Sequence, residues 1–278
     1  MDNIKIKPLF KYIGGKSWLR AELRYLVEKI FENNKYNSYC EPFVGGLGSF
    51  LNIYDILLKN NIKNVILSDI NEILISTYNY IKESPEKIIS EFLIIENEFV
   101  LSVDIRWKNT KDKQEIKQYL KLSEIYFNKI KKLFNENKSN INEKQSARLI
   151  FLQKHSFNGI YRENSKGEYN TPFNWSGNNM LDSIEDKIKE MNLLFNKFNI
   201  QFLAQSFEQI KYNKNTLYYL DPPYLNEEIG ENKYNKNDFS IDNQLFLINQ
   251  IKNTNFIYSN HAAEVLLNKF RNIENIKI

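Results

Sequence analysis

The residues best suited to chemistry are Asp221-Pro222-Pro223-Tyr224, which follow the apolar run Thr216-Leu217-Tyr218-Tyr219-Leu220. Short and rich in Leu and Tyr, that run predicts a buried strand. Two consecutive prolines donate nothing to a sheet ladder, so the strand must stop at Asp221. The stiff turn then presents a carboxylate, backbone carbonyls and a flat ring at the C-terminal end of a strand, where open α/β sheets bind ligands. A carboxylate and a carbonyl suit the two hydrogens of an exocyclic amine, and a ring stacks on the heterocycle that bears it, worth about 1–3 kcal/mol. An aromatic amine is a poor nucleophile, so such a site works by aligning it with a methyl donor. The plainer reading is a proline strand terminator followed by an ordinary loop tyrosine.

Two further stretches carry ligand-binding signals. Tyr39-Cys40-Glu41-Pro42-Phe43-Val44-Gly45-Gly46-Leu47-Gly48-Ser49 predicts a short strand, a Gly-rich turn and a helix from Gly48 to Lys59. Three glycines in four positions let backbone amides face a ligand, though the spacing is not that of a dinucleotide site. Asn64 to Asn71 predicts a second strand, and Asp69 lies about twenty positions beyond the turn, where nucleotide-binding units place a ribose-binding carboxylate. The alternative is that Asp69 caps the helix beginning near Glu72. Nearer the N-terminus, Gly14-Gly15-Lys16-Ser17 opens a helix predicted over 17–31, with Ser17 as N-cap and an apolar stripe of Leu19, Leu23, Leu26, Val27 and Ile30. The P-loop spacing is absent.

These sites need elements to hold them. Helices are predicted near 86–98, 114–135 and 143–154, with a polar break over 135–142. Residues 155–180 differ, alternating Gly, Asn, Ser and aromatics around a turn at Asn164-Ser165-Lys166-Gly167. Such a ribbon can enter a major groove, where an Arg pairs with guanine, and its aromatics can fill the gap left by an extruded base. The plainer reading is a surface hairpin packed on its own domain. A helix over 181–197, strands at 199–204, 216–220 and 256–260, and helices over 241–252 and 262–270 complete the pattern. Strand–helix alternation on both sides of the helical stretch predicts an α/β fold with one doubly wound sheet. The expected division is a catalytic domain of 1–84 and 198–278, with an inserted recognition domain of 85–197.

Composition bounds the function. The chain has 278 residues, 42% hydrophobic and 26% charged, which predicts a folded core. A net charge of +4 permits nucleic-acid binding without demonstrating it. The lysine run Lys129-Ile130-Lys131-Lys132 reads as a solvated helix face. One cysteine, Cys40, excludes an intrachain disulfide and a Cys-based zinc site, and with only His155 and His261 no metal is expected. No signal peptide or membrane-spanning stretch is evident, so the expected location is cytoplasmic.

Taken together, the motifs resemble the DNA adenine methylase (Dam-like, D12 class) family of N6-adenine methyltransferases. The resemblance runs in order through Lys11-Tyr12-Ile13-Gly14-Gly15-Lys16, Glu41 to Ser49, Ser68-Asp69-Ile70-Asn71, the ribbon from Asn158 to Phe173, Asp221-Pro222-Pro223-Tyr224 and Ser259-Asn260. It implies a Rossmann-like methyltransferase sheet, S-adenosylmethionine as co-substrate, no metal, and an adenine flipped from double-stranded DNA. By match to the family motifs, Tyr12, Lys16, Phe43, Gly45 and Asp69 would bind the donor together with Asp221. Asp221 and the Pro222 carbonyl would hold the adenine amine, and Tyr224 would stack on the base. Lys11, Phe157, Asn158, Ile160, Arg162 and Pro172 would contact DNA, with Phe157 intercalating and Lys11 and Arg162 reading guanine. GATC is the leading target, although Asn174-Trp175 stands where GATC-reading members usually have Gly after Pro-Phe. Members also commonly carry a final strand pair beyond the position matching Ile278. A monomer is expected, with a cognate restriction endonuclease as candidate partner. Competing readings are an N4-cytosine or RNA amine methyltransferase and an inactive DNA-binding homologue.

Overall fold

The computed structural model describes residues 6–11, 19–174, 183–224, 239–260, 264–271 and 273. The chain divides into two compact units: a sheet unit of residues 18–44, 52–70 and 198–278, and a helical unit of residues 1–17, 45–51 and 71–197.

In the sheet unit, β1 (Ser38–Glu41), β2 (Asn64–Asp69), β3 (Asn199–Ala204), β4 (Thr216–Leu220) and β5 (Asn255–Tyr258) form a parallel sheet in the order β3-β2-β1-β4-β5. Every residue of β4 is buried, which explains the continuous apolar run: parallel strands lie covered on both faces. The strand order reverses between β1 and β4, and such a switch point opens a crevice outside the strand C-termini. Cys40, Tyr218 and Leu220 point to one face, where they pack with Phe207 and with Leu247 and Ile251 of helix α9 (Ile241–Ile251).

The crossover from β1 to β2 is α2 (Gly48–Lys59). Helix α1 (Arg20–Asn33) is tied to it by Arg24, which donates to both carboxylate oxygens of Asp55, at 2.6 and 2.8 Å, and to the Asn52 carbonyl. Leu19 stands at the N-cap of α1 without a side-chain cap, and the expected cap Ser17 lies outside the described residues. The buried stripe is narrower than the sequence predicts. Leu23 and Val27 are buried, whereas Leu26 is 47% exposed, because it sits a residue off the i, i+4 line that faces the core.

The helical unit contains α3 (Glu72–Glu83), α4 (Pro85–Leu101), α5 (Lys113–Tyr119), α6 (Lys121–Glu136), α7 (Glu143–His155) and α8 (Ile184–Phe195). The helix expected over 114–135 is thus two. It breaks at Leu120, which leaves helical geometry at φ −92°, ψ 6°, caps α5 with its N–H and buries its side chain. The ribbon after α7 is held by isolated antiparallel bridges, Ser156 to Phe173 and Glu163 to Tyr169, rather than by continuous strands. Left-handed backbone at Asn158 (φ 55°) and Gly159 (φ 65°) interrupts any ladder there. The tip turns at the expected residues: Gly167 N–H donates to the Asn164 carbonyl at 2.9 Å, and Asn164 Oδ1 accepts from the Lys166 and Glu168 amides. Among the described residues, no helix is long and apolar enough to cross a membrane.

Candidate active site

The sheet unit brings Phe43, Asp69, Asp221, Pro222 and Tyr224 to the C-terminal ends of β1, β2 and β4. β1 and β4 are the strands that flank the switch point. In their shared register Tyr39 lies opposite Leu217, so Glu41 and Asp221 fall on the same side of the sheet.

Glu41 ends β1 and is 1% exposed. Its Oε1 accepts the Tyr39 hydroxyl at 2.5 Å, while Oε2 is buried without a hydrogen-bond partner among the described residues. Burial pushes the Glu41 carboxyl up to about 8; the Tyr39 hydrogen bond opposes the rise and the negative Asp221 adds to it. Burial thus favours the protonated form of Glu41 beside the field of Asp221. Glu41 was not among the expected site residues, although a carboxylate ending an apolar strand before Pro42 is the same signal as Asp221-Pro222.

The proline turn is braced from α9 and from the end of β5. Gln244, wholly buried on α9, donates through Nε2 to the Pro223 carbonyl at 2.9 Å. Its Oε1 accepts from the Tyr258 hydroxyl and from Asn260 Nδ2. Ser259 N–H donates to the Leu220 carbonyl at 2.8 Å, and its hydroxyl lies 3.0 Å from Tyr224 Oη. The ring of Tyr224 is thereby held beside the end of β4. Gln244 carries no sequence signal, being one amide in an amphipathic helix; Ser259-Asn260 stood only as a matching dipeptide.

An aromatic wall stands beside this turn. Phe43 packs against Phe207 at 5.5 Å and Phe239 at 5.6 Å, and those two rings lie 5.1 Å apart. Val44 N–H donates to the Ser68 carbonyl, tying the exit of β1 to β2. Asp69, half-buried, ends β2. It does not cap α3: Asn71 does so, accepting from the Leu74 amide at 3.2 Å.

The remaining predicted residues lie in the helical unit or outside the described residues. Gly45 adopts φ 45°, and its carbonyl accepts the Tyr78 hydroxyl at 2.7 Å. Lys11 bridges to Ile160, bringing these two expected DNA contacts together, and its side chain lies against Gly159. Phe157 is 52% exposed. Arg162 is exposed too, and its Nε donates across the ribbon to Asn170 Oδ1 at 2.8 Å, which aims the guanidinium. Asn158 and Pro172 are exposed on the same ribbon. Tyr12, Lys16 and Trp175 lie outside the described residues.

The family model described as D12 class N6 adenine-specific DNA methyltransferase matches residues 12–277. The chain belongs to that family. The methyltransferase is 33% identical to the Type II methyltransferase M.MjaIII of Methanocaldococcus jannaschii, over 88% of this chain and 78% of that protein. It is 27% identical to the Type II methyltransferase M1.LlaDCHI of Lactococcus lactis subsp. cremoris, over 88% and 76%. A DNA adenine methylase of Haemophilus influenzae is 28% identical over 94% of this chain and 82% of that protein. The parallel sheet with a switch point between β1 and β4 is the Rossmann-like sheet expected of such an enzyme, and the chain is an adenine-specific DNA methyltransferase.

Proposed function

We propose that this methyltransferase transfers a methyl group from S-adenosylmethionine to N6 of an adenine flipped out of a short duplex site, with GATC as the leading target. The observation that carries the reading is Asp221-Pro222-Pro223-Tyr224 at the switch point, its ring hydroxyl beside Ser259 and its turn braced by Gln244.

The residues present fit a cationic donor. Asp69 and Asp221 end the strands on either side of β1, whose own Glu41 holds a buried oxygen without a partner among the described residues. When bound, the donor supplies an activated methyl on a sulfonium. Asp69 takes ribose hydroxyls, and Phe43, Gly45, Tyr12 and Lys16 complete the donor site. Asp221 and the Pro222 carbonyl accept the two amine hydrogens, which aims the nitrogen lone pair. Tyr224 stacks on the base and keeps water from its face. Transfer would form the N–C bond as the methyl–sulfur bond breaks, the sulfur leaving as a neutral thioether, and the Asp221 carboxylate would take the proton lost from the amine.

In this reading the catalytic part is 1–84 with 198–278, and 85–197 is the recognition part. Lys11, Phe157, Asn158, Ile160, Arg162 and Pro172 contact double-stranded DNA. The enzyme acts as a cytoplasmic monomer without a metal. The Type II names of two relatives support a protective role beside a cognate restriction endonuclease.

The test is incubation with S-adenosylmethionine and duplex DNA, followed by mapping of the modified base. N6-methyladenine within a fixed short site is the expected product; N4-methylcytosine or methylated RNA would refute the assignment. Asp221→Ala should abolish transfer while leaving DNA affinity within about threefold, and near-normal turnover by that variant would remove Asp221 from the clamp.

A further inference from the structure

Three charged or titratable side chains lie buried at the root of the ribbon, far along the chain from the Asp-Pro-Pro-Tyr turn. Glu96 of α4 accepts from Lys154 Nζ at 2.7 Å through Oε1, and lies 2.9 Å from His155 Nε2 through Oε2. Their side chains are 13%, 9% and 0% exposed. A buried ion pair gains little net stability over apolar packing, because desolvation offsets the attraction. What it supplies is orientation. Lys154 and His155 are consecutive and end α7, so they project about 100° apart around the helix axis. One carboxylate gripping both fixes the rotation of the last turn of α7, and with it the direction in which the chain leaves.

The chain that leaves is the ribbon. The His155 carbonyl accepts from the Asn174 amide at 3.0 Å, Ser156 bridges to Phe173, and Phe157 N–H donates to the Pro172 carbonyl at 2.9 Å. The opposite leg is held from the same turn of α4. Phe99, three residues beyond Glu96, packs against Phe173 at 6.2 Å and against the His155 ring at 4.2 Å. Burial holds His155 below the usual imidazole range against the pull of Glu96, so the neutral ring donates its Nε2 proton and the grip is a directed hydrogen bond. Around this grip Phe99, Phe127, Phe151 and Phe173 pack in T-shaped and tilted pairs, to which the Glu96 contacts add a directional polar restraint.

We propose that Glu96 is a positioning residue for site discrimination, setting through Lys154 and His155 the pose of the ribbon that presents Phe157, Asn158 and Arg162 to DNA. This rests on the ribbon being the DNA reader, as proposed above. A small error in the rotation of α7 is carried along the ribbon to Arg162, whose bidentate pairing with a base tolerates little misplacement.

The test compares wild type, Glu96→Gln, Glu96→Gln with Lys154→Gln, and Arg162→Ala. The full-length enzyme acts on one cognate duplex and on duplexes with each single base pair of the site changed. Glu96→Gln should lower the ratio of cognate to near-cognate kcat/KM about tenfold. KM for DNA should rise, and kcat at saturating cognate DNA should stay within about twofold. The double variant, a neutral hydrogen-bonding pair one methylene shorter on the residue-154 side, should recover the ratio to within about threefold. An equal loss on cognate and near-cognate DNA, or an unchanged ratio, overturns the proposal, because a merely structural role lowers active enzyme without changing its preference. If Glu96→Gln does not fold, Lys154→Gln alone keeps the Glu96–His155 bond and should shift the ratio in the same direction; no shift there also overturns it. Arg162→Ala separates the two ideas. A relaxed preference in Arg162→Ala but not in Glu96→Gln refutes positioning alone, whereas an unchanged preference in Arg162→Ala refutes the ribbon as reader and the proposal with it.

Discussion

Replacing Glu41 by Gln isolates the cost of a buried carboxyl at the switch point. In the unfolded chain Glu41 titrates near 4.5, and in the folded protein burial and the facing Asp221 raise it to about 8. Between those values the folded state binds the proton and the unfolded state does not. The stabilising contribution is therefore full below pH 4.5 and is lost as pH rises through about 8. At roughly 1.4 kcal/mol per tenfold change in proton affinity, the whole interval has a ceiling of about 5 kcal/mol. Gln keeps the shape, accepts the Tyr39 hydroxyl and never ionises. Urea denaturation of both proteins from pH 5 to 9, without donor or DNA, reads the effect. The stability of Glu41→Gln relative to wild type should climb steadily across that range and level off above pH 8–9. Parallel curves would refute the reasoning, showing that Glu41 is ionised in the folded protein and that an unseen cation or water offsets its charge.

Gln244→Leu should cost about 2–3 kcal/mol of stability, because it strands the Pro223 carbonyl, the Tyr258 hydroxyl and the Asn260 amide. Turnover should fall further than binding of donor or DNA, measured by denaturation, calorimetry and steady-state methylation; a loss in stability alone would show that the brace does not set the clamp. Gly159→Ala places a methyl on a residue at φ +65°, 3.2 Å from the Gln153 carbonyl, and should cost about 1–2 kcal/mol. Since the same methyl presses on the Lys11 side chain at 3.3 Å, DNA affinity should drop as well, and an unchanged dissociation constant in a filter-binding titration would count against Lys11 as a DNA contact.

Much of the sheet was legible because parallel strands and proline punctuation leave strong local marks. Thr216–Leu220 stops where Pro222-Pro223 requires, and β2 and β3 begin and end within two residues of the expected positions. The helix break at Leu120 was not legible, since no Gly or Pro marks it; the demand to bury one leucine decides it. The ribbon's turn at Asn164 to Gly167 was legible, whereas its departure from paired strands at Asn158-Gly159 was not foreseen, although asparagine and glycine both favour left-handed backbone. Gln244 and Glu96 were invisible for one reason. A polar residue in an amphipathic helix gains its partners only when a distant segment packs on it, and the sequence carries no trace of that pairing.

The helical stretch between β2 and β3 has a consequence for how the protein reaches its fold. β3 pairs along its whole length with β2, but Asp69 and Asn199 are separated by all of α3 to α8. Closing so long a loop before any contact rewards it slows sheet formation. Asn192 near the end of α8 donates to the carbonyls of Ile81 and Lys82 at the end of α3, both at 2.9 Å, and so ties the last helix of this stretch to the first. Once α3 and α8 meet, the span left to close is the short stretch on either side of them. The entropy penalty grows with the logarithm of that span. The helices would then fold first and deliver β3 to β2, so the segment that separates the strands in sequence is also what shortens their search.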